Sequence, residues 1–271
     1  MAAQTQAALH ELEIVRNEAV ADAVFRMLVE APELCEQISA GQFINLQVAG
    51  DASELLRIPL SFSRVGMGVL ELLYAVVGAG TERLSQMREG QRLSAVGPCG
   101  VGWSVPEHEG RILLVAGGVG ISPILAASEL LVEANYGFDV VVGASTAGKL
   151  WEEGVERLRS AALRRSCDCA RRVYVTTDDG SLGVHGFVTD AIEPLIHERE
   201  YEQVWACGPD PMMRSVAQQA HDAHTDCMVS LERTMGCGFG VCAGCNVELA
   251  QGGYALCCSD GPVFNARELA W

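Results

Sequence analysis

The sequence predicts a multidomain chain: an antiparallel β-barrel over residues 1–108, an α/β domain on a parallel sheet over 109–224, and a small cysteine-rich domain over 225–271. Three observations predict it. In the first third, short runs rich in Val, Ile, Leu and Phe, such as 42–48 and 69–77, are separated by Gly, Asp and Ser; these are strand lengths with turn punctuation. From 111 to 223, apolar strand candidates alternate with helical ones, at 111–116, 124–134, 139–144, 150–163, 172–177, 188–196, 203–206 and 211–223. Such alternation implies βαβ units. The last part gathers cysteines and places four glycines between Gly236 and Gly244, a composition that a packed core does not explain. There is no internal repeat and no long linker between the parts.

With 271 residues, 49% of them hydrophobic, the chain can bury a sizeable core, and the composition excludes disordered and low-complexity classes. Nineteen Lys and Arg stand against 35 Asp and Glu, a net charge of −16. That balance excludes a general nucleic-acid or anionic-membrane binder, so the expected partners are small molecules or proteins. Residues 1–10 carry no basic region followed by an apolar stretch, so no secretory signal is expected. The longest apolar run, 112–127, is broken by Gly117, Gly118, Gly120 and Pro123 and falls short of a membrane span. The expectation is a soluble protein of the reduced cytoplasm. There, eleven cysteines point to metal or redox chemistry before crosslinks.

In the α/β part, Ile112-Leu-Leu-Val-Ala-Gly-Gly-Val-Gly-Ile-Ser-Pro123 reads as a buried strand, a glycine turn and a helix starting near Pro123. Gly117, Gly118 and Gly120 would let the backbone approach a pyrophosphate, whose charge a helix N-terminus favours. Pro123 stands where a third dinucleotide-motif glycine would be, so an ordinary strand-to-helix connection also accounts for the turn. A second strand ends at Cys207-Gly208-Pro209 before another helix, which places it at the same sheet edge, where ligands bind. Between them, Asp178 and Asp179 follow a strand. They would accept from ribose hydroxyls and repel a 2′-phosphate, favouring NAD(H) over NADP(H), and they equally suit a turn before Gly180.

Cys237, Cys242 and Cys245 form C-x4-C-x2-C, with Cys258 further on; three close thiolates and a distant fourth is the plant-type [2Fe–2S] spacing. Gly236, Gly238, Gly240 and Gly244 permit the tight turns that wrap sulfurs around a cluster. Structural zinc is the alternative, but zinc ribbons usually pair two C-x2-C knuckles. Spacing leaves Cys257 and Cys258 open as the fourth ligand. Cys35, Cys99, Cys167, Cys169 and Cys227 are expected to be plain buried or surface thiols.

Together these motifs resemble the ferredoxin–NADP reductase superfamily, and within it the dihydroorotate dehydrogenase B electron-transfer subunits, over nearly the whole chain. Arg57-Ile-Pro-Leu-Ser61 is similar to the family's R-x-P-x-S flavin motif, Gly78-Ala-Gly-Thr81 to its G-x-G-T phosphate turn, and Gly97-Pro-Cys-Gly-Val-Gly102 to its G-P-x-G-x-G segment. The resemblance implies FAD on the barrel. Arg57 would hold the diphosphate, Ser61 would lie beside flavin N5, and Pro59, Leu60, Tyr74, Val76, Gly78, Gly80 and Thr81 would complete the site. It places nicotinamide near Ser61 and Cys207, with Gly208 and Pro209 alongside. Cys258-Ser-Asp-Gly-Pro-Val-Phe264 resembles the C-x-D-G-P-V-F ending, which selects Cys258 over Cys257. The chain departs from the pattern at Ala79, where relatives often carry Lys, and at Ser145, where many have Arg.

The implied function is electron transfer between NAD(H), FAD and a [2Fe–2S] cluster, to or from an FMN-containing dihydroorotate dehydrogenase catalytic subunit in a heterotetramer of pyrimidine biosynthesis. A nicotinamide moves two electrons as hydride and a cluster moves one, so a flavin between them makes a sensible order. The same module would also serve in a sulfide dehydrogenase or a ferredoxin–NAD(P) oxidoreductase complex. A zinc-bound interaction subunit without redox chemistry is the alternative from another class.

Overall fold

A computed structural model describes residues 7–48, 56–108, 110–164 and 173–271; Cys167 and Cys169 lie outside the described residues. In chain order the elements are β1 (Ala8–Ala21), β2 (Val24–Glu30), α1 (Pro32–Cys35), β3 (Phe43–Gln47), β4 (Ile58–Gly66), β5 (Val69–Ala75), α2 (Ala79–Gln86) and β6 (Arg92–Cys99). There follow β7 (Arg111–Gly117), α3 (Ile121–Glu133), β8 (Gly137–Ala144), α4 (Glu152–Leu163), β9 (Val173–Thr177), β10 (Val184–His185), α5 (Val188–Glu198), β11 (Gln203–Cys207), α6 (Asp210–Asp222) and β12 (Asp226–Ser230). The chain finishes with β13 (Asn246–Glu248), β14 (Tyr254–Leu256) and β15 (Val263–Asn265).

Six strands close an antiparallel barrel in the order β1-β2-β5-β4-β3-β6. Alternation fills it. Leu12 and Ile14 on β1, Met27 and Val29 on β2, Ile44 and Leu46 on β3, and Leu70 and Leu72 on β5 are almost wholly buried. Each such side chain contributes about 1.5–3 kcal/mol of burial.

The second sheet runs β10-β9-β8-β7-β11-β12-β15. Parallel strands covered on both faces read as continuous apolar runs, and Ile112, Leu113, Leu114, Val115 and Ala116 of β7 are fully buried. On α4, Val155, Leu158, Ala161 and Ala162 are buried, while Glu153 and Arg157 pair at 2.5 Å on the wet side. The chain leaves β7 toward β8 and β9, then returns to the other side of β7 with β11, so the strand order reverses between β7 and β11. At the opposite, amino edge, the fully buried Asp139 accepts from Arg199 and Tyr201 at 2.8 and 2.9 Å and pairs with Arg111 at 3.3 Å. That edge is sealed by polar contacts.

The chain divides into two compact units: Met1–Trp103 with Glu232–Val263, and Ser104–Leu231 with Phe264–Trp271. These units divide the chain elsewhere than at 108/109 and 224/225. Residues 226–230 extend the parallel sheet as β12, and 263–265 add β15 beside it. The cysteine-bearing stretch, too short for a core of its own, belongs with the barrel. Arg57 N–H donates to Met235 O at 3.0 Å, and Val101 bridges to Pro262.

Candidate functional site

At the carboxyl edge of the parallel sheet, the turns after β7 and β11 meet. Cys207 is in register with Ala116, and this is the point of strand-order reversal, where open α/β sheets leave a crevice for ligands. The three glycines of the first turn do different jobs. A Cβ on Gly117 would lie 2.4 Å from Met212 Sδ, and one on Gly120 would lie 2.2 Å from Cys207 O. Both are forced by close packing of the two turns. Gly118 alone has φ +56 and nothing within 4 Å of its missing Cβ, so it is the bare backbone available to a phosphate. Pro123 is buried in the first turn of α3, where a missing N–H costs nothing. Gly208 and Cys207 are half-buried and Pro209 is exposed; the Cys207 thiol reaches Ser230 O at 3.5 Å.

Asp178 and Asp179 are exposed just beyond β9. Asp179 accepts from Ser181 Oγ at 2.6 Å and Ser181 N–H at 3.0 Å, and these bonds hold its carboxyl below the usual carboxylate range. Asp179 is therefore a turn former. Asp178 is anchored by its backbone N–H, 3.1 Å from Ala144 O, leaving its carboxylate at the sheet edge.

On the barrel, Arg57 is half-buried. Its guanidinium donates to Asn45 O at 3.3 Å and Gln47 Oε1 at 3.2 Å. Pro59 and Ser61 are half-buried on β4, with Leu60 buried between them, and Ser61 faces Phe43 of β3 in register. Gly78, exposed and with nothing within 4 Å of a built Cβ, starts α2. Thr81 Oγ1 closes that turn by accepting from Val77 and Gly78 N–H at 3.0 and 3.2 Å, while Gly80 packs on Ile58, a Cβ there lying 3.0 Å from Ile58 Cδ1. Val76 is held through its N–H to Ala23 O at 2.8 Å. Tyr74 is placed differently from a ligand contact. It is 2% exposed, its ring stacks on Phe25, its hydroxyl donates to Asn17 Oδ1 at 2.9 Å, and burial pushes it up to about 12.

In the cysteine loop the sulfurs fall as two neighbouring pairs, Cys237 beside Cys242 and Cys245 beside Cys258. Among the described residues, no three His, Cys, Asp or Glu form a group that could hold a metal ion. Amides point at sulfur: Gly240 N–H reaches Cys258 Sγ at 3.1 Å and Cys242 N–H reaches Cys237 Sγ at 3.4 Å. Burial alone would raise Cys237, but the amides of Cys242, Phe239 and Val241 outweigh it and bring the thiol down to about 6. Cys258 is pushed up to about 12, by burial first and then by the sulfurs of Cys245 and Cys237 around it. Crowded thiolates of this kind are stabilised by bound metal, which deprotonates them. Gly236 and Gly244 flank Cys242, a Cβ on either lying 3.5 or 3.6 Å from its sulfur, an ordinary contact distance. Cys257 is fully buried and raised to about 12, by burial first and then by Cys245.

Two residues that the sequence did not single out stand under this loop: Asn45 donates to Gly236 O at 3.2 Å, and the buried Cys99 lies near Cys237 and Cys258. Cys99 carried a signal, since it sits inside Gly97–Gly102. A Cβ on Gly100 would lie 2.2 Å from Gly261 O, so this motif and the Asp260-Gly261-Pro262 motif form one joint.

Two sequence families match the chain: "iron-sulfur cluster binding domain of dihydroorotate dehydrogenase B" over residues 232–270, and "oxidoreductase NAD-binding domain" over 114–218. The dihydroorotate dehydrogenase B (NAD(+)) electron transfer subunit of Bacillus velezensis is 34% identical over 265 residues, covering 96% of this chain and 98% of that one. Its Streptococcus pneumoniae counterpart is 34% identical, covering 94% and 96%. Among solved structures, an NADH-dependent reduced ferredoxin-NADP oxidoreductase superposes with a TM-score of 0.84 at 30% identity, covering 100% of this chain and 92% of that one.

Proposed function

The chain belongs to the dihydroorotate dehydrogenase B electron-transfer subunits, and on that premise we propose that it carries electrons between NAD(H), a barrel-bound FAD and a [2Fe–2S] cluster, to or from an FMN-containing catalytic subunit. The partner assembly is a heterotetramer. The observation that carries the reading is the double pair of cysteines beneath loop amides, in one unit with the barrel that bears Arg57 and Gly78. Two irons need two thiolates each beyond their bridging sulfides, whereas structural zinc needs four donors around one point. The paired arrangement favours the cluster.

Bound flavin supplies the conversion between two-electron hydride chemistry and the one-electron chemistry of an iron–sulfur centre. The chain's residues bind and orient. Arg57, with two of its donors on Asn45 and Gln47, keeps the rest of its fork for a diphosphate. Beyond the open Gly78, the first turn of α2 presents backbone N–H to the same anion. Across the other unit, Gly118 and the start of α3 take the nucleotide pyrophosphate, and Asp178 takes ribose hydroxyls and disfavours a 2′-phosphate. Cys207, at the lip of the crevice, orients the nicotinamide. Cys237, Cys242, Cys245 and Cys258 hold the cluster, and their amides stabilise thiolate charge. Cys258 receives the Gly240 amide, which supports it over Cys257 as the fourth ligand.

Anaerobic mixing of the brown holoprotein with NADH should bleach flavin absorbance and produce the electron-spin signal of a reduced [2Fe–2S] centre. A colourless protein that binds zinc, or a flavin that NADH leaves oxidised, would overturn the reading. A second reading, the same module in a ferredoxin–NAD(P) oxidoreductase complex, is favoured by the likeness to the solved oxidoreductase over the whole chain. Co-purification decides: an FMN-bearing dihydroorotate dehydrogenase supports the first, a larger flavin and iron–sulfur subunit the second.

A further inference from the structure

Asn45 is a polar side chain in a place the barrel alone does not explain. Ile44 and Leu46 of β3 fill the barrel interior, and alternation puts Asn45 on the opposite face with Gln47, yet Asn45 is 0% exposed. Burying an amide without partners costs a few kcal/mol, roughly 1–3 in proteins, so its cover and its bonds must justify it. The cysteine loop contributes the cover. Asn45 Nδ2 donates to Gly236 O at 3.2 Å, and a Cβ on Gly238 would lie 2.9 Å from the same Nδ2 and 3.3 Å from Cys99 Sγ. Gly236 and Gly238 flank Cys237. Cys99, 1% exposed, completes the floor from β6, its thiol on Val96 O at 3.3 Å. The other half of the amide, Asn45 Oδ1, is buried with no hydrogen-bond partner among the described residues; an apolar residue there would have avoided that cost.

We infer that Asn45 is a positioning residue for the iron–sulfur centre: by holding the Gly236 carbonyl and underlying Gly238, it fixes the Cys237 sulfur and closes the barrel-facing side of the centre to water. This rests on the reading of the loop as a cluster holder. The loop's own amides are turned toward sulfur, so a donor from outside the loop supplies what remains. Asn45 acts through the loop. It therefore bears on the potential and lifetime of the centre and not on the meeting of NADH with flavin.

The test compares the full chain, purified anaerobically with its FAD and iron–sulfur centre, with Asn45→Leu and Asn45→Asp. Leu removes the amide at similar volume; Asp keeps the shape but replaces a donor with an acceptor. Both variants should retain FAD and NADH-driven flavin bleaching, release iron to a chelator roughly tenfold faster, and show displaced g-values and midpoint potential of the reduced centre. The displacement should be larger for Asp. Unchanged release rate, g-values and potential in both variants overturn the inference. So does loss of FAD in step with iron from both, because Asn45 would then hold the barrel and not the loop. A parent chain without any iron–sulfur signal sinks the cluster reading itself, and this inference with it.

Discussion

The turn after β7 and the cysteine loop after β12 are both glycine-rich, and glycine does opposite work in them. In the turn, Gly117 and Gly120 are required by atoms 2.4 and 2.2 Å from where a Cβ would sit, and one glycine, Gly118, faces open space. In the loop, Gly236 and Gly244 lie beside Cys242 sulfur at ordinary contact distance, and Gly240, at φ +83, turns its amide onto Cys258. One set lets two backbones touch. The other aims donors at sulfur. A run of glycines in a sequence announces a special backbone, and only the neighbours say whether ligand, sulfur or a second turn is the cause.

The largest test of the loop side is Cys258→Ser against Cys257→Ser: the first should abolish the visible cluster absorbance, the second should preserve it. The reverse pattern would move the fourth ligand to Cys257. On the turn side, Gly120→Ala drives a methyl into the Cys207 carbonyl and should cost about 3 kcal/mol or more, seen as a lowered Tm and lost NADH reduction of the flavin. Equal tolerance of Ala at 118 and 120 would erase the distinction drawn within this turn. Asp178→Ser should raise the NADPH-to-NADH ratio of kcat/KM roughly tenfold by removing a carboxylate that repels a 2′-phosphate. An unchanged ratio would leave both aspartates as turn formers. Phe239 and Val241 are exposed beside the exposed Cys242, so Val241→Lys should weaken association with the catalytic subunit by about 1–2 kcal/mol with the cluster's electron-spin signal intact. Smallest is a reciprocal pair. Gly118→Ala, at φ +56, should cost about 1 kcal/mol, and Ala243→Gly, at φ +53, should recover a similar amount in the loop; chemical denaturation measures both.

The barrel, the parallel sheet and the two nucleotide-edge turns were legible because each rests on local periodicity or on a strand-turn-helix pattern. C-x4-C-x2-C was legible because a cluster imposes short spacing. What stayed hidden is long-range. Asn45 lies 191 residues from the carbonyl it holds, inside Phe43–Gln47, and nothing about that strand marks it. Cys99 reads as an isolated thiol until Gly100 meets Gly261. Tyr74, placed in the flavin site by resemblance, sits on a strand whose neighbours bury it and occupy its hydroxyl with Asn17.

The chain runs from the barrel unit into the α/β unit at residue 104, back at 232 and out again at 264. A ribosome must therefore deliver residue 258 before the last cysteine of the loop exists, by which time β7 to β12 have already been made. Iron and sulfide can be fully enclosed only after every strand of the nucleotide sheet except β15 has been made. A genetic cut at 232 leaves both bodies unfinished, and the unit that bears the cysteine loop cannot be harvested as one continuous fragment free of the other.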